Sequence, residues 1–175
     1  DYDTDNGITF DNLILKNNGI YESNYNVALF VKDYNANIIN TVIEDNLGGG
    51  IYLHTSKSTL DNVVVQNNNF GNLVSSASYP VFTNCIFANN YIEGSNVSPQ
   101  IGGLSIAYNS HPILINTTIV NNHGSATNYD DAGGIVATNG GNYSLINSIV
   151  WGNGSHNIYN KINEPYETSI SISYS

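Results

Sequence analysis

Six segments of eleven residues repeat along this chain of 175 residues, and no other feature constrains its fold as strongly. The segments begin at Ile8, Ala36, Ser58, Pro80, Pro112 and Tyr143 and read ITFDNLILKNN, ANIINTVIEDN, STLDNVVVQNN, PVFTNCIFANN, PILINTTIVNN and YSLINSIVWGN. Their third and eighth positions are always apolar, and their fifth and eleventh positions are always Asn. Columns at constant spacing indicate that the segments are equivalent units of one repeating structure.

A second, weaker repeat lies between these segments, where a turn of small residues precedes a short apolar strand. The leading apolar residues are separated by 22, 22, 31 and 31 positions and are Leu29, Ile51, Leu73, Leu104 and Ile135. A period of 22 with strands of three to five residues is typical of one coil of a parallel β-helix, whose stacked coils share one core. The sequence therefore predicts an all-β, single-stranded right-handed parallel β-helix of about six coils, forming one segment over residues 1–175.

The two Asn columns are predicted to be structural ladders at the corners of the coils. An Asn at a corner tolerates left-handed backbone, and its amide can donate to one neighbouring coil while it accepts from the other. We expect Asn84 to be buried between the amides of Asn62 and Asn116. The fifth-position column contains Asn12, Asn40, Asn62, Asn84, Asn116 and Asn147, and the eleventh-position column contains Asn18, Asn46, Asn68, Asn90, Asn122 and Asn153.

Cys85 is the only cysteine of the chain, which excludes an intrachain disulfide. It occupies the sixth position of its segment, in the column of Leu13, Thr41, Val63, Thr117 and Ser148. We expect it to lie in the core or at its margin, without a ligand and slow to react with thiol reagents.

Composition excludes two classes of partner for this segment. Four Lys and Arg against 14 Asp and Glu give a net charge of −10, so no basic surface is available to neutralise the phosphates of a nucleic acid. No apolar run approaches the ~20 residues of a membrane-spanning helix, so membrane insertion by this segment is not expected. Because the sequence starts at Asp1 without a signal peptide, we expect a piece of a longer secreted chain, whose remainder is one of its partners.

The repeats also resemble a known group of proteins. The motif Phe87-Ala88-Asn89-Asn90 and the Gly-Gly-apolar motifs at Gly49-Gly50-Ile51, Gly102-Gly103-Leu104 and Gly133-Gly134-Ile135 carry the resemblance. Such alternation resembles the chlamydial polymorphic membrane proteins and the β-helical repeats of secreted Bacteroidota surface proteins, within the pectate-lyase-like superfamily of right-handed parallel β-helices. The resemblance implies an extracellular or cell-surface passenger or adhesin region.

Differences in coil length predict one candidate ligand site. After the eleventh-position Asn, coils two and three reach the next strand in five residues, whereas coils one, four and five need eleven, fourteen and thirteen. Insertions in a solenoid become loops on one face, so a notch is predicted over a floor of residues 47–49 and 69–71. Tyr side chains there could stack on sugar rings while carboxylates accept hydroxyl hydrogen bonds, although ordinary solvated loops have the same composition. The candidate ligand-binding residues are Tyr21, Glu22, Tyr25, Phe70, Tyr91 and Glu93.

No catalytic residue is assigned. Polysaccharide lyases of the resembled fold typically use an Arg or Lys base, but this chain has no Arg, and its four Lys residues occur without a clustered acidic calcium site. Asp130-Asp131 resembles the paired Asp of β-helical pectin hydrolases, but the flanking His motifs of that family are missing. The alternative therefore stays open that the segment belongs to a polysaccharide-degrading enzyme, a lyase or glycoside hydrolase, whose catalytic residues lie partly outside it.

Calcium is the one cofactor for which the sequence offers candidate ligands. Asp1, Asp3 and Asp5 place oxygen ligands at alternate positions before Gly7, as at the start of a calcium loop. One additional residue precedes this Gly, and Asn12 stands where the loop pattern has Glu, so a solvated terminus is the alternative. The four His residues show no metal-ligand spacing.

These observations favour a non-catalytic, extracellular module of a bacterial surface or secreted protein. We expect an adhesin-like or glycan-binding rigid stalk whose partner is a glycan or a cell-surface protein.

Overall fold

The computed structural model describes residues 7–18, 26–92, 101–124, 133–154, 156–160 and 167–173, which contain nineteen β-strands. The first three coils contain β1 (Ile8–Asp11), β2 (Ile14–Lys16), β3 (Val27–Lys32), β4 (Ala36–Ile39), β5 (Val42–Glu44), β6 (Gly49–His54), β7 (Thr59–Asp61), β8 (Val64–Gln66) and β9 (Asn72–Ser75). The next coils contain β10 (Val81–Thr83), β11 (Ile86–Ala88), β12 (Leu104–Ile106), β13 (Ile113–Ile115), β14 (Thr118–Val120), β15 (Ile135–Ala137), β16 (Tyr143–Ile146), β17 (Ile149–Trp151), β18 (Ile158–Asn160) and β19 (Ile170–Ser173). In this part of the chain no helix has the length and apolar character needed to cross a membrane.

Each coil contributes one strand to each of three parallel sheets, which confirms the predicted parallel β-helix. Sheet A has the order β1-β4-β7-β10-β13-β16-β19, sheet B has the order β2-β5-β8-β11-β14-β17, and sheet C has the order β3-β6-β9-β12-β15-β18. The third positions of the repeat are in register across sheet A, and the eighth positions are in register across sheet B. The repeat therefore corresponds to two strands and the corner between them, and sheet C completes the coil.

The hydrophobic core lies inside the three sheets and consists of columns of stacked apolar side chains that form one continuous cluster. Side chains of the third and eighth positions point inward, and those of the central coils are fully buried. Phe82 and Phe87 meet edge to face in the middle of the rod, with ring centroids 5.5 Å apart. Because a short coil cannot bury its own inner face, this stacking supplies the hydrophobic stabilisation of the fold.

The predicted register of sheet C is wrong at one strand. Asn72, not Leu73, lies in the inner column beside Leu104, whereas Leu73 pairs with Tyr52 and Ser105 on the outer side. The buried Asn72 amide donates to the Gly103 carbonyl at 2.9 Å and accepts from the Ile51 N–H at 2.9 Å. These hydrogen bonds satisfy the polar side chain inside the coil.

The fifth-position Asn column lies on the surface, so the expectation of a buried Asn84 is wrong. All six residues have a left-handed backbone with φ between 49° and 56°, which Asn tolerates better than most side chains, and all six are exposed. Asn84 donates to Asp61 rather than to Asn62, at 3.0 Å, and accepts from Asn116 at 3.3 Å. With the bonds from Asn62 to Asn40 and from Asn147 to Asn116, this column forms an exposed ladder that is interrupted between Asn62 and Asn84, and it supplies the left-handed corner between sheets A and B.

The eleventh-position column forms the buried ladder that was predicted. The amide of Asn68 donates to Oδ1 of Asn90 at 2.9 Å, and the amide of Asn90 donates to Oδ1 of Asn122 at 2.9 Å. Each Oδ1 also accepts the backbone N–H of the preceding ladder residue. At the C-terminal end, Asn153 donates to Asn157 in the same coil, so Asn157 terminates the ladder.

Candidate functional site

The corner between sheets B and C carries a column of outward-facing side chains. After four of the ladder Asn residues, the next residue donates its N–H to the carbonyl of the ladder Asn in the preceding coil, at 2.9–3.0 Å. Equivalent residues are therefore stacked at the spacing of parallel strands, ~4.8 Å. This corner column consists of Leu47, Asn69, Tyr91 and His123.

Tyr91 is the most prominent aromatic side chain of the corner column. It is 49% exposed, and its ring meets His123 edge to face, with centroids 6.3 Å apart and planes at 66°. Backbone pairing between Tyr91 and His123 fixes the two coils beneath these rings. One phenol, one imidazole and the amide of Asn69 thus face solvent along one line, an arrangement that offers stacking and hydrogen bonding to a polyhydroxylated ligand.

Phe70, another candidate ligand-binding residue, lies at the same corner and is half-buried. Its N–H donates to the carbonyl of Gly48 at 3.3 Å, and it pairs with Gly49 as an isolated bridge. A Cβ on Gly49 would lie 2.6 Å from the carbonyl oxygen of Gly71, which explains why these turns contain glycine. The short turns of the two coils are therefore held close together, at the same corner as Tyr91.

The remaining predicted site residues lie outside the described residues. These are Tyr21, Glu22, Tyr25 and Glu93 of the notch walls and Asp1, Asp3 and Asp5 of the calcium pattern. Asp130-Asp131 also lies outside them. The structure therefore brings Phe70 and Tyr91 to one corner, while the notch itself and calcium binding stay predictions. Within the described ranges no group of three or more His, Cys, Asp or Glu side chains could hold a metal ion.

His123 was not among the predicted site residues, although the repeat indicates that it lies next to Tyr91. His123 follows Asn122 as Tyr91 follows Asn90, so extending the Asn column by one position places the two side chains on adjacent coils. The prediction relied on differences in coil length, and it therefore favoured Tyr and carboxylate residues of the inserted loops.

A second group of polar and aromatic side chains, also missed from the sequence, lies on the outer side of sheet C. Phe30 stacks on Tyr52 with centroids 4.8 Å apart, and Lys32 is in register with His54. His54 Nδ1 lies 3.9 Å from Oδ1 of Asp33. Tyr52 is buried and its hydroxyl lies 3.1 Å from Oγ of Ser75, so this ring supports the group rather than offering a face to a ligand.

Cys85 is buried in the sixth-position column, as predicted. Its thiol donates to the Thr83 carbonyl at 3.2 Å, and the hydroxyls of Thr117 and Ser148 make the same bond to the carbonyl two residues before them. Burial raises the pKa of the Cys85 thiol to about 11. The column thus accepts small donors that bond locally, and the thiol is a packing group.

Thiol labelling tests this placement. At about pH 8 only about a thousandth of the Cys85 thiol would be ionised in the folded protein, roughly a hundredfold less than for a free thiol. We therefore expect native Cys85 to react with a thiol reagent at least about a hundredfold more slowly than in denaturant. Because folding raises the pKa of the Cys85 thiol, burial of the protonated thiol contributes fully to the free energy of unfolding below about pH 9. This contribution is lost as the pH rises toward about 11. Equal native and denatured labelling rates would contradict the buried position.

The family model described as "Right handed beta helix region" matches residues 2–163. No curated protein matches the sequence. The crystal structure of pectate lyase Pel9A aligns with 95% of this chain and 46% of its own chain, with a TM-score of 0.55 and 14% sequence identity. The chain thus spans about half the length of that protein, and at this identity the likeness shows the fold alone.

Proposed function

Because this chain belongs to the family of right-handed β-helix regions, we propose that it is a non-catalytic, extracellular module of a bacterial surface or secreted protein that binds glycans. The observation that carries the proposal is the corner column, in which Tyr91 is half-exposed and meets His123 on the next coil. The resemblance of its repeats to those of chlamydial and Bacteroidota surface proteins supports the extracellular location.

The corner column suits a short stretch of a sugar chain. From Leu47 to His123 it covers four coils, or about 14 Å along the rod, which is the length of a short oligosaccharide. The apolar faces of sugar rings can stack on Tyr91, while Asn69 and His123 supply hydrogen bonds to hydroxyls. Because stacking and hydrogen bonds to uncharged sugar hydroxyls involve no ion pair with the ligand, binding should depend only weakly on salt.

The stacked coils also support a role as a rigid stalk or adhesin segment. Every strand between β4 and β16 has parallel partners in both neighbouring coils, and one apolar core runs through them. A solenoid of this kind places its surface side chains at fixed intervals along its axis. The corner column would therefore be presented to a ligand without reorganisation of the backbone, which lowers the entropic cost of binding.

Truncation of Tyr91 provides the test. We expect Tyr91→Ala to weaken binding of the best ligand from a panel of soluble oligosaccharides about tenfold, since one stacked aromatic contact is lost. Tyr79→Ala is the matched control, because Tyr79 is 44% exposed and also packs on a His of the next coil, at a different corner. The measurement is titration calorimetry at low and high salt.

Equal affinities of the two variants would exclude the corner column as the glycan site.

The polysaccharide-degrading alternative is favoured by a separate observation, the proximity of Lys32, Asp33 and His54 on sheet C, where His54 could serve as a base. Release of soluble products from polygalacturonate or a neutral polysaccharide by the purified chain would replace the non-catalytic proposal with that alternative.

A further inference from the structure

The outer side of sheet B is a flat surface made of two parallel columns of side chains. The strands of this sheet are in register, so equivalent outward residues stack coil upon coil. One column contains Ile14, Val42, Val64, Ile86, Thr118 and Ile149, and the other contains Lys16, Glu44, Gln66, Ala88, Val120 and Trp151. We refer to these twelve side chains as the sheet B face.

Charge is confined to one end of the sheet B face. Lys16 lies 3.5 Å from Glu44, whose carboxylate also accepts from the Gln66 amide at 2.9 Å. Along the described strands β8, β11, β14 and β17, no outward side chain carries a charge. In a chain with a net charge of −10, four successive strands whose outward side chains are all uncharged form a distinct surface.

The uncharged end exposes large apolar side chains. Trp151 is 71% exposed, and Ile149 on the same strand is 59% exposed. Trp151 is also the only tryptophan of the chain. Large apolar side chains grouped on one face of a protein commonly mark a binding surface, because their exposure to water is unfavourable.

Two rows of exposed amides border this apolar strip. On the sheet A side, Asn147 donates to Asn116 at 2.6 Å, and Asn116 donates to Asn84 at 3.3 Å. On the sheet C side, Asn121 donates to Asn89 at 2.6 Å. An amide has two N–H donors and two acceptor lone pairs, so Asn116 retains one of each for a ligand after forming the row. The result is an apolar centre with hydrogen-bonding edges that repeat every ~4.8 Å.

The dimensions of the face argue against a second copy of the chain as its occupant. Six stacked coils and the five residue spacings from one amide row to the other give about 24 Å by 16 Å, or roughly 400 Å². A stable protein interface buries about 800 Å² on each partner, twice this area. A polysaccharide chain lying along the rod needs no such area, and its C–H faces and hydroxyls match the apolar strip and the amide rows respectively.

We propose that the sheet B face binds a neutral polysaccharide, with Trp151 and Ile149 against the sugar rings and the bordering amides on the hydroxyls. The proposal is independent of the corner column, since it rests on different side chains and on a different side of the coil. It assigns the uncharged outer surface of β8, β11, β14 and β17 to a polymer without carboxylates or sulfates.

Trp151 reports directly on its own site. Insoluble cellulose and chitin serve as probes for depletion of the protein from solution, and polygalacturonate serves as the acidic comparison. We expect depletion by at least one neutral polymer, little dependence on salt, and no binding of polygalacturonate. The matching soluble oligosaccharide should shift the tryptophan emission to shorter wavelength and protect it from acrylamide quenching.

Trp151→Ala should weaken binding to the neutral polymer about tenfold, whereas Tyr108→Ala should not, although Tyr108 is 59% exposed at another corner. Both variants should melt like the parent, because neither side chain is buried. The Tyr91→Ala variant should retain polymer binding, which separates this site from the corner column.

Absence of binding to both neutral polymers, or full binding by Trp151→Ala, would overturn the proposal. So would concentration-dependent self-association that Trp151→Ala abolishes, because the face would then be an interface between copies of the chain.

Discussion

Replacement of Asn90 by alanine is expected to lower the free energy of unfolding by about 3–6 kcal/mol. Asn90 is fully buried, and its amide donates to Oδ1 of Asn122 and to the carbonyl of Val65. Its Oδ1 accepts both the backbone N–H and the side-chain amide of Asn68. Alanine would leave several of these groups without a partner, at about 1–3 kcal/mol each.

Asn84 provides the matched control for the ladder, six residues earlier in the same coil. Its side chain is exposed, so Asn84→Gly should cost less than about 1 kcal/mol, because glycine also tolerates the left-handed φ of 54°. Chemical denaturation of the three proteins provides the comparison. Similar midpoints for Asn90→Ala and Asn84→Gly would show that the eleventh-position ladder does not hold the coils together.

Gly103→Ala is expected to destabilise the rod by about 3 kcal/mol, because the new Cβ would collide with backbone atoms of the next coil. A Cβ at Gly103 would lie 2.1 Å from the carbonyl oxygen of Gly134 and 2.7 Å from that of Gly133. Both carbonyls are hydrogen-bonded to this coil, by the N–H groups of Gly103 and Leu104. The coils could separate only by breaking these bonds, and overpacked sites of this kind cost about 1–3 kcal/mol or more.

The control is Gly152→Ala. Gly152 also lies at a corner, but a Cβ there would have no heavy atom within 4 Å. Its φ of 63° is left-handed, so alanine should cost only about 1–2 kcal/mol from backbone strain. Thermal unfolding measures both variants, and a loss for Gly103→Ala no greater than that for Gly152→Ala would refute the backbone collision.

The coil architecture could be predicted from sequence because stacking repeats the same constraint in every coil. Apolar third and eighth positions predict an inner face, and the structure buries them there. The two Asn columns could not be told apart, since residue identity alone does not separate a need for left-handed backbone from a need for a buried amide. The neighbouring tenth position shows how the two requirements differ. It contains Asn, Asp or Gly, each with a left-handed backbone, and this mixture is expected where only the backbone conformation matters.

The candidate site was less predictable because its position depends on single-residue register. A shift of one residue moves a side chain to the opposite side of a strand. Such a shift separates the prediction, which placed Leu73 in the inner column, from the structure, which places Asn72 there. The prediction of Tyr91 and Phe70 at one corner followed from counting after the Asn column. The apolar sheet B face was missed because Ile and Val at outward positions look, in sequence, like further core residues.

The end of the buried ladder at Asn157 determines how the rod would respond to mechanical force. Asn153 bonds to a residue of its own coil, so peeling away β19 would break no rung of the ladder. Further peeling would first have to separate Asn157 from Asn153, and then release coils of 31, 32 and 22 residues in turn. Each released coil would add about 75–105 Å of extended chain, against about 5 Å of rod lost. A stalk built in this way would lengthen stepwise under tension while its remaining coils stayed folded.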